Sequence, residues 1–181
     1  GIRDISRARN ERTIMGAVIP KNIICLHTIN TLKPFSISPE ESHLSESPLR
    51  SVYQRRFTDK ELFAVVGMLN SIPFDFLMRT KVESHIIKRE LLESQMPRLT
   101  DGDDWFNYIS KRSARLNCYG EEFAEMRERL DDIDPATNIQ KRREIQAEID
   151  AAAFHSYELE HREVKFVLDD FHRVGNPRLM T

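Results

Sequence analysis

Phe57-Thr58-Asp59-Lys60-Glu61-Leu62-Phe63-Ala64-Val65-Val66-Gly67-Met68-Leu69 carries the clearest structural instruction in this chain of 181 residues. Thr58 supplies a hydroxyl at the N-cap position, Glu61 can reach back from the first turn to the Thr58 amide, and Phe57 can pack on Leu62. Leu62, Val65, Val66 and Leu69 then fall at i, i+3, i+4 and i+7, so one face of the helix is apolar and has to be buried. Pro73 follows closely. It predicts a break or kink before Phe74, Phe76 and Leu77 continue the apolar surface.

On the N-terminal side, Arg12 to Leu32 gathers Ile14, Val18-Ile19 and Ile23-Ile24 in short stretches broken by Gly16 and Pro20, the texture of two or three strands. Pro34 to Pro48 holds five serines, three prolines and three glutamates. So little apolar surface cannot order itself, and the stretch reads as a surface loop or insertion. Arg50 to Phe57 alternates Val52 with basic residues and reads as a further strand. On the C-terminal side, Ser84 to Leu99 is less regular and ends extended at Met96-Pro97-Arg98. Beyond Asp101-Gly102 the texture is helical: Trp105, Phe106 and Ile109 form one stripe, Phe123, Met126 and Leu130 another. Asp134-Pro135 predicts the start of a helix that buries Ile145, Ile149, Ala152 and Ala153. Val164, Val167, Leu168 and Phe171 predict a last helix ended by Gly175 and Pro177. The expected class is α+β. A β-containing part with a central helix spans residues 1–100, and a helical part spans 101–181.

A content of 40% hydrophobic and 31% charged residues suits a globular domain. The longest apolar run lies around Leu62 to Leu69, far short of the roughly 20 residues a membrane crossing requires, and no hydrophobic leader follows a basic start. A cytoplasmic location without membrane contact is therefore the expectation. Cys25 and Cys118 have no CxxC neighbour, so they encode neither a disulfide framework nor a zinc knuckle, and both read as buried thiols. The net charge of −2 conceals an asymmetry: residues 1–100 hold 15 Lys/Arg against 11 Asp/Glu, and residues 101–181 hold 12 against 18. A polyanion is drawn to the first part and repelled by the second.

Several short motifs follow one another in a telling order. They are Arg3-Asp4-Ile5, Asn10-Glu11-Arg12-Thr13 and Ala17-Val18-Ile19-Pro20, then Leu69-Asn70-Ser71 with Phe74-Asp75-Phe76-Leu77-Met78-Arg79, then Glu93-Ser94-Gln95-Met96-Pro97-Arg98-Leu99, and finally Tyr157-Glu158-Leu159 running to Phe171. In that order they resemble the C-terminal target-recognition region of type IIG-like restriction enzyme/methyltransferase polypeptides, which are adenine-specific, and of their phage-defence relatives. The family has Gln-Leu-Pro-x-Pro where this chain has Met96 and lacks the second proline, and Tyr-Gly-Leu where this chain has Glu158. The resemblance implies a segment that grips the major groove of double-stranded DNA and presents an adenine for flipping into a catalytic pocket elsewhere in the same polypeptide. It also implies an inert fragment, with S-adenosylmethionine, and Mg²⁺ where a nuclease is present, held by the parent. A start at Gly1 without methionine fits an excised piece. The competing expectation is a helical scaffold that docks a catalytic subunit, favoured by the acidic balance of residues 101–181.

The residues carry no local catalytic or metal motif, which leaves an enzyme with a site built from scattered residues as a third, disfavoured expectation. None of the six glycines forms the GxG turn that approaches S-adenosylmethionine. Asn176-Pro177-Arg178-Leu179 has only the first two letters of an Asn-Pro-Pro-aromatic loop and reads as a turn. Glu163-Val164-Lys165 matches the short half of a nuclease PD…(D/E)xK pattern, but its neighbours have helical periodicity, so the pair reads as a solvated helix face. His27, His43, His85, His155, His161 and His172 show no metal-ligand spacing. The cations Arg3, Arg7, Arg9, Arg12, Lys21, Lys33, Arg50, Arg55 and Arg56 can meet phosphates. Arg12, Lys21, Lys33, Arg50, Arg55 and Arg56 form the candidate DNA-contacting set, with Asn22 and Asn30 as further base-edge readers.

Overall fold

The computed structural model describes residues 1–8, 10–37, 53–86 and 88–171. Its best-signalled helix, α1 (Asp59–Leu69), starts where Thr58 and Glu61 place it: the Thr58 side chain accepts from the Glu61 amide and the Glu61 side chain accepts from the Thr58 amide. The chain turns at Asn70-Ser71 and enters α2 (Ile72–Arg79), with Pro73 in the first turn. A missing N–H removes nothing there, so Pro73 opens a second helix instead of kinking the first. The two helices meet at a bend of 56°. There follow α3 (Lys88–Leu92), α4 (Asp104–Asn117), a 3-10 turn at Glu121–Phe123, α5 (Ala124–Glu128), α6 (Ile139–Ser156) and α7 (His161–Phe171).

Among the described residues the strands are short and confined to the first part, which makes the fold α+β. β1 (Ile2–Arg3) pairs antiparallel with β2 (Ile29–Asn30), Ile2 opposite Asn30. β3 (Phe35–Ile37) pairs antiparallel with β4 (Tyr53–Arg55), Phe35 opposite Arg55. Most of the expected insertion and the N-terminal side of β4, residues 38–52, lie outside the described residues.

Two expectations are corrected by hydrogen bonding. Arg12 to Leu32 was expected to hold two or three strands, yet β2 is the strand it forms, and before it Gly16 makes only an isolated bridge to Ile2. Side chains take the place of a partner strand: Asp75 accepts from the Ile14 amide at 2.7 Å, Asn70 both accepts from and donates to Gly16 at 2.8 Å, and Asn117 accepts from the Val18 amide at 3.2 Å. With its backbone groups satisfied this way, the segment needs no ladder. The Asp134-Pro135 start also moves. The Ala136 amide is held by the Arg115 carbonyl at 2.8 Å, and Asn138 caps α6 by accepting from the amides of Gln140 and Lys141.

The core crosses the expected boundary at residue 100. Phe63 and Val66 of α1 pack with Val18, Ala114, Cys118, Phe123, Leu130 and Ile133, while Met68 joins Ile109, Ile145, Ile149 and Ala153. Gly67 permits the close approach of α1 and α4, since a Cβ there would lie 2.6 Å from Ile109 Cγ2. Cys118 is buried, and that burial pushes its thiol up to about 11, whereas Cys25 is half-buried. Among the described residues no single helix is long and apolar enough to cross a membrane.

The end of α6 accounts for the conformation of Glu158. The Glu158 amide donates to the His155 carbonyl and the Leu159 amide to the Phe154 carbonyl, the two bonds of a Schellman cap, and Glu158 sits at φ 55°. Glycine adopts that conformation without a Cβ penalty. Glu158→Gly is expected to raise stability by about 0.5–1 kcal/mol, measured as a higher denaturant midpoint. A lower midpoint would refute this reading of the cap.

Candidate nucleic-acid interface

The β3–β4 ribbon brings three of the six candidate cations together. The Arg56 amide donates to the Pro34 carbonyl at 2.9 Å, one residue from Lys33, and Arg55 stands opposite Phe35. Alternation along the strands gives the ribbon two unlike faces. One carries Phe35, Tyr53 and Arg55, the rings meeting edge to face with centroids 6.3 Å apart. The other carries Ser36 and Arg56, whose Nε donates to Ser36 Oγ at 2.6 Å. Lys33, Arg55 and Arg56 are all exposed.

Asp59, in the first turn of α1, orients one of these cations. It accepts from Arg55 Nη2 and, at 2.7 Å, from Arg129 Nε. Burial opposes a charge on Asp59, but the hydrogen bonds from Arg129 and Arg55 outweigh it and hold its carboxyl below the ordinary aspartate range. From Arg12 to Thr58 the described residues include five cations and no carboxylate; Glu40, Glu41 and Glu46 lie outside them. A two-stranded antiparallel ribbon of this kind has the cross-section that a major groove admits.

The other candidates are placed differently. Lys21 is exposed and pairs with Glu125 of α5 at 2.5 Å, a surface contact worth little on its own. Arg50 and Arg9 lie outside the described residues, and Arg7 is exposed. Asn22 is exposed at φ 64°. Asn30 is engaged, donating to Asp4 and to the Ile86 carbonyl, both at 3.0 Å. Glu163 and Lys165 lie exposed on α7. Among the described residues no group of three or more His, Cys, Asp or Glu could hold a metal ion.

Arg12 is turned inward. Its Nη2 donates to Asp150 at 2.8 Å, and Asp150 also accepts from the Ile72 amide at 2.7 Å. A second buried pair lies alongside: Asp75 accepts from Arg79 Nε at 3.0 Å, and Arg79 donates further to the carbonyls of Ala8, Asn10 and Glu11 at 2.6–2.8 Å. The Phe171 ring faces both guanidiniums, 4.0 Å from Arg79 and 5.9 Å from Arg12. Burial pushes the carboxyls of Asp75 and Asp150 above the ordinary range, against the pull of the arginines and amides beside them. These interactions bind the Asn10-Glu11-Arg12-Thr13 segment to α2, α6 and α7. Sequence reasoning overlooked them, although Asp75 and Arg79 have the i,i+4 spacing of a helical ion pair and Asp150 interrupts an otherwise apolar run.

The chain matches no family model, no curated protein and no solved structure.

Proposed function

We propose that this chain is the DNA-reading part of a cytoplasmic, restriction-modification type, adenine-specific DNA methyltransferase. The catalytic domain and its S-adenosylmethionine belong to another part of the same polypeptide. The observation that carries the reading is the ribbon, where Lys33, Arg55 and Arg56 gather on an exposed two-stranded element beside aromatic rings. On this reading the ribbon enters the major groove of duplex DNA, its cations meet phosphates, and the remainder of the fold is a scaffold that fixes its angle. The order of the motifs supports it, as does their mutual packing. The Asn-Glu-Arg-Thr segment is held by Asp150 and Arg79, the second of these from the Phe-Asp-Phe helix. Glu158, at the family's glycine position, has a glycine-like backbone.

Arg55→Ala combined with Arg56→Ala is expected to weaken duplex binding on the order of tenfold to a hundredfold at low salt. The slope of log affinity against log salt should fall by about 2. Fluorescence anisotropy across a salt series reads both quantities, with circular dichroism checking the fold. Unchanged affinity and slope would remove the ribbon from the interface.

A docking scaffold for a catalytic subunit is the second reading, favoured by the exposed apolar side chains of Ile23, Ile24 and Leu26, of which Ile24 is 90% exposed. A chain that binds a methyltransferase subunit but no DNA would establish that reading instead.

A further inference from the structure

The N-terminal segment and helices α1, α4 and α6 enclose an open cleft of about 400 Å³. That volume falls within the range of small-molecule sites, roughly 300–1,000 Å³. Three of its lining residues carry polar groups that the fold leaves with unused capacity. Arg142 is tethered through Nη1 to the carbonyls of Leu116 at 3.0 Å and Ala136 at 2.9 Å, and it makes no ion pair among the described residues. Its guanidinium is therefore held in place by carbonyls and not by a carboxylate, a state suited to planar recognition of an oxyanion. Ser113 is 1% exposed and its Oγ has no hydrogen-bond partner. Arg12 is anchored by Asp150 through Nη2, while its buried Nη1 is also without a partner. Native interiors leave few such atoms orphaned, because each forgoes a hydrogen bond it had in water. Ile149 and Phe123 supply apolar wall, and Glu122, exposed, is the acid in the lining.

We propose that this cleft binds a small organic anion bearing a phosphate or carboxylate. The oxyanion meets Arg142 and the Ser113 hydroxyl, and the body of the ligand lies against Ile149 and Phe123. The site is separate from the ribbon, so it stands or falls independently of DNA binding.

Thermal unfolding of the chain is followed with inorganic phosphate, adenosine monophosphate or succinate in millimolar excess, against sodium chloride at matched ionic strength. Adenosine monophosphate or succinate is expected to raise Tm by about 3–6 °C at roughly tenfold excess over Kd, with chloride inert. Which of the two acts distinguishes phosphate from carboxylate. Arg142→Gln should abolish the shift. Ser113→Ala should weaken binding by about fivefold to twentyfold in calorimetry, yet leave the Tm of the free protein unchanged or higher, because it deletes an unpaired hydroxyl. A merely structural serine would lower that Tm and leave binding alone. If Arg142→Gln does not fold, Ser113→Ala decides. No shift with any of the three probes, or a full shift retained in both variants, overturns the proposal.

Discussion

Asp75→Ala is expected to lower folding stability by about 3–5 kcal/mol, read as a fall in the denaturant midpoint at constant m-value. Asp75 is fully buried and its partner Arg79 is 5% exposed. Deleting the carboxylate strands a buried cation and orphans the Ile14 amide, which has no partner strand to fall back on. The size of the loss comes from what is left uncompensated, since an intact buried pair can contribute little beyond its own desolvation. Replacing both members by apolar residues, Asp75→Leu with Arg79→Met, is therefore expected to recover part of the loss and to show strong coupling in a double-mutant cycle. A single-variant loss under about 1 kcal/mol would mean that water reaches the pair.

The same carboxyl carries a pH signature. Burial raises its folded pKa above the ordinary 3.8, and raises that of Asp150 similarly. A group with a raised folded pKa contributes stability that is complete below the unfolded value and disappears as pH rises through the folded value. The contribution of these two groups should therefore decline as pH climbs from the ordinary aspartate pKa through their raised ones. Asp59 works in the opposite sense, because its lowered pKa adds stability above the ordinary value that vanishes on acidification. Asp75→Asn should flatten the first of these dependences.

Phe63→Ala is the second large effect, also about 3–5 kcal/mol. Phe63 is 0% exposed and belongs to the core cluster of Val18, Ala114, Phe123 and Ile133, which joins α1 to the N-terminal segment, α4 and the 3-10 turn. Truncation leaves a cavity that the α1–α4 contact cannot close, because Gly67 already holds those helices at closest approach. Chemical denaturation measures the loss. A cost below about 1.5 kcal/mol, the range of a tolerated volume-conserving swap, would contradict the packing of these helices.

How much could be read from the residues depended on the distance over which each interaction acts. Thr58 and Glu61 announced α1 because a capping box is closed within one turn. Phe106 and Ile109 announced the buried face of α4, and Ile145, Ile149 and Ala153 that of α6, because helical periodicity is local. The apolar stretches around Ile14 and Val18 suggested strands, since β-branched residues have the same texture whether they pair with a ladder or lie against helices. The Asp134-Pro135 start failed because a carbonyl from α4, that of Arg115, claims the Ala136 amide. In the candidate interface, Lys33, Arg55 and Arg56 were legible as cations but not as neighbours. Their adjacency arises from pairing across a 15-residue span, 38–52, outside the described residues.

From sequence alone came the class of the fold and the helical frame with its buried faces. These depend on short-range rules of capping, periodicity and backbone preference. Tertiary structure decided where the charges go: Arg12 and Arg79 inward onto buried aspartates and the Phe171 ring, Arg55 and Arg56 outward on a ribbon. An arginine has the same composition on either side of the surface. What separates a brace from a contact is whether the fold draws the arginine itself out of water: Arg12 is 22% exposed beside Asp150 and Arg79 5% beside Asp75, whereas Arg55 keeps 43% exposure even beside Asp59.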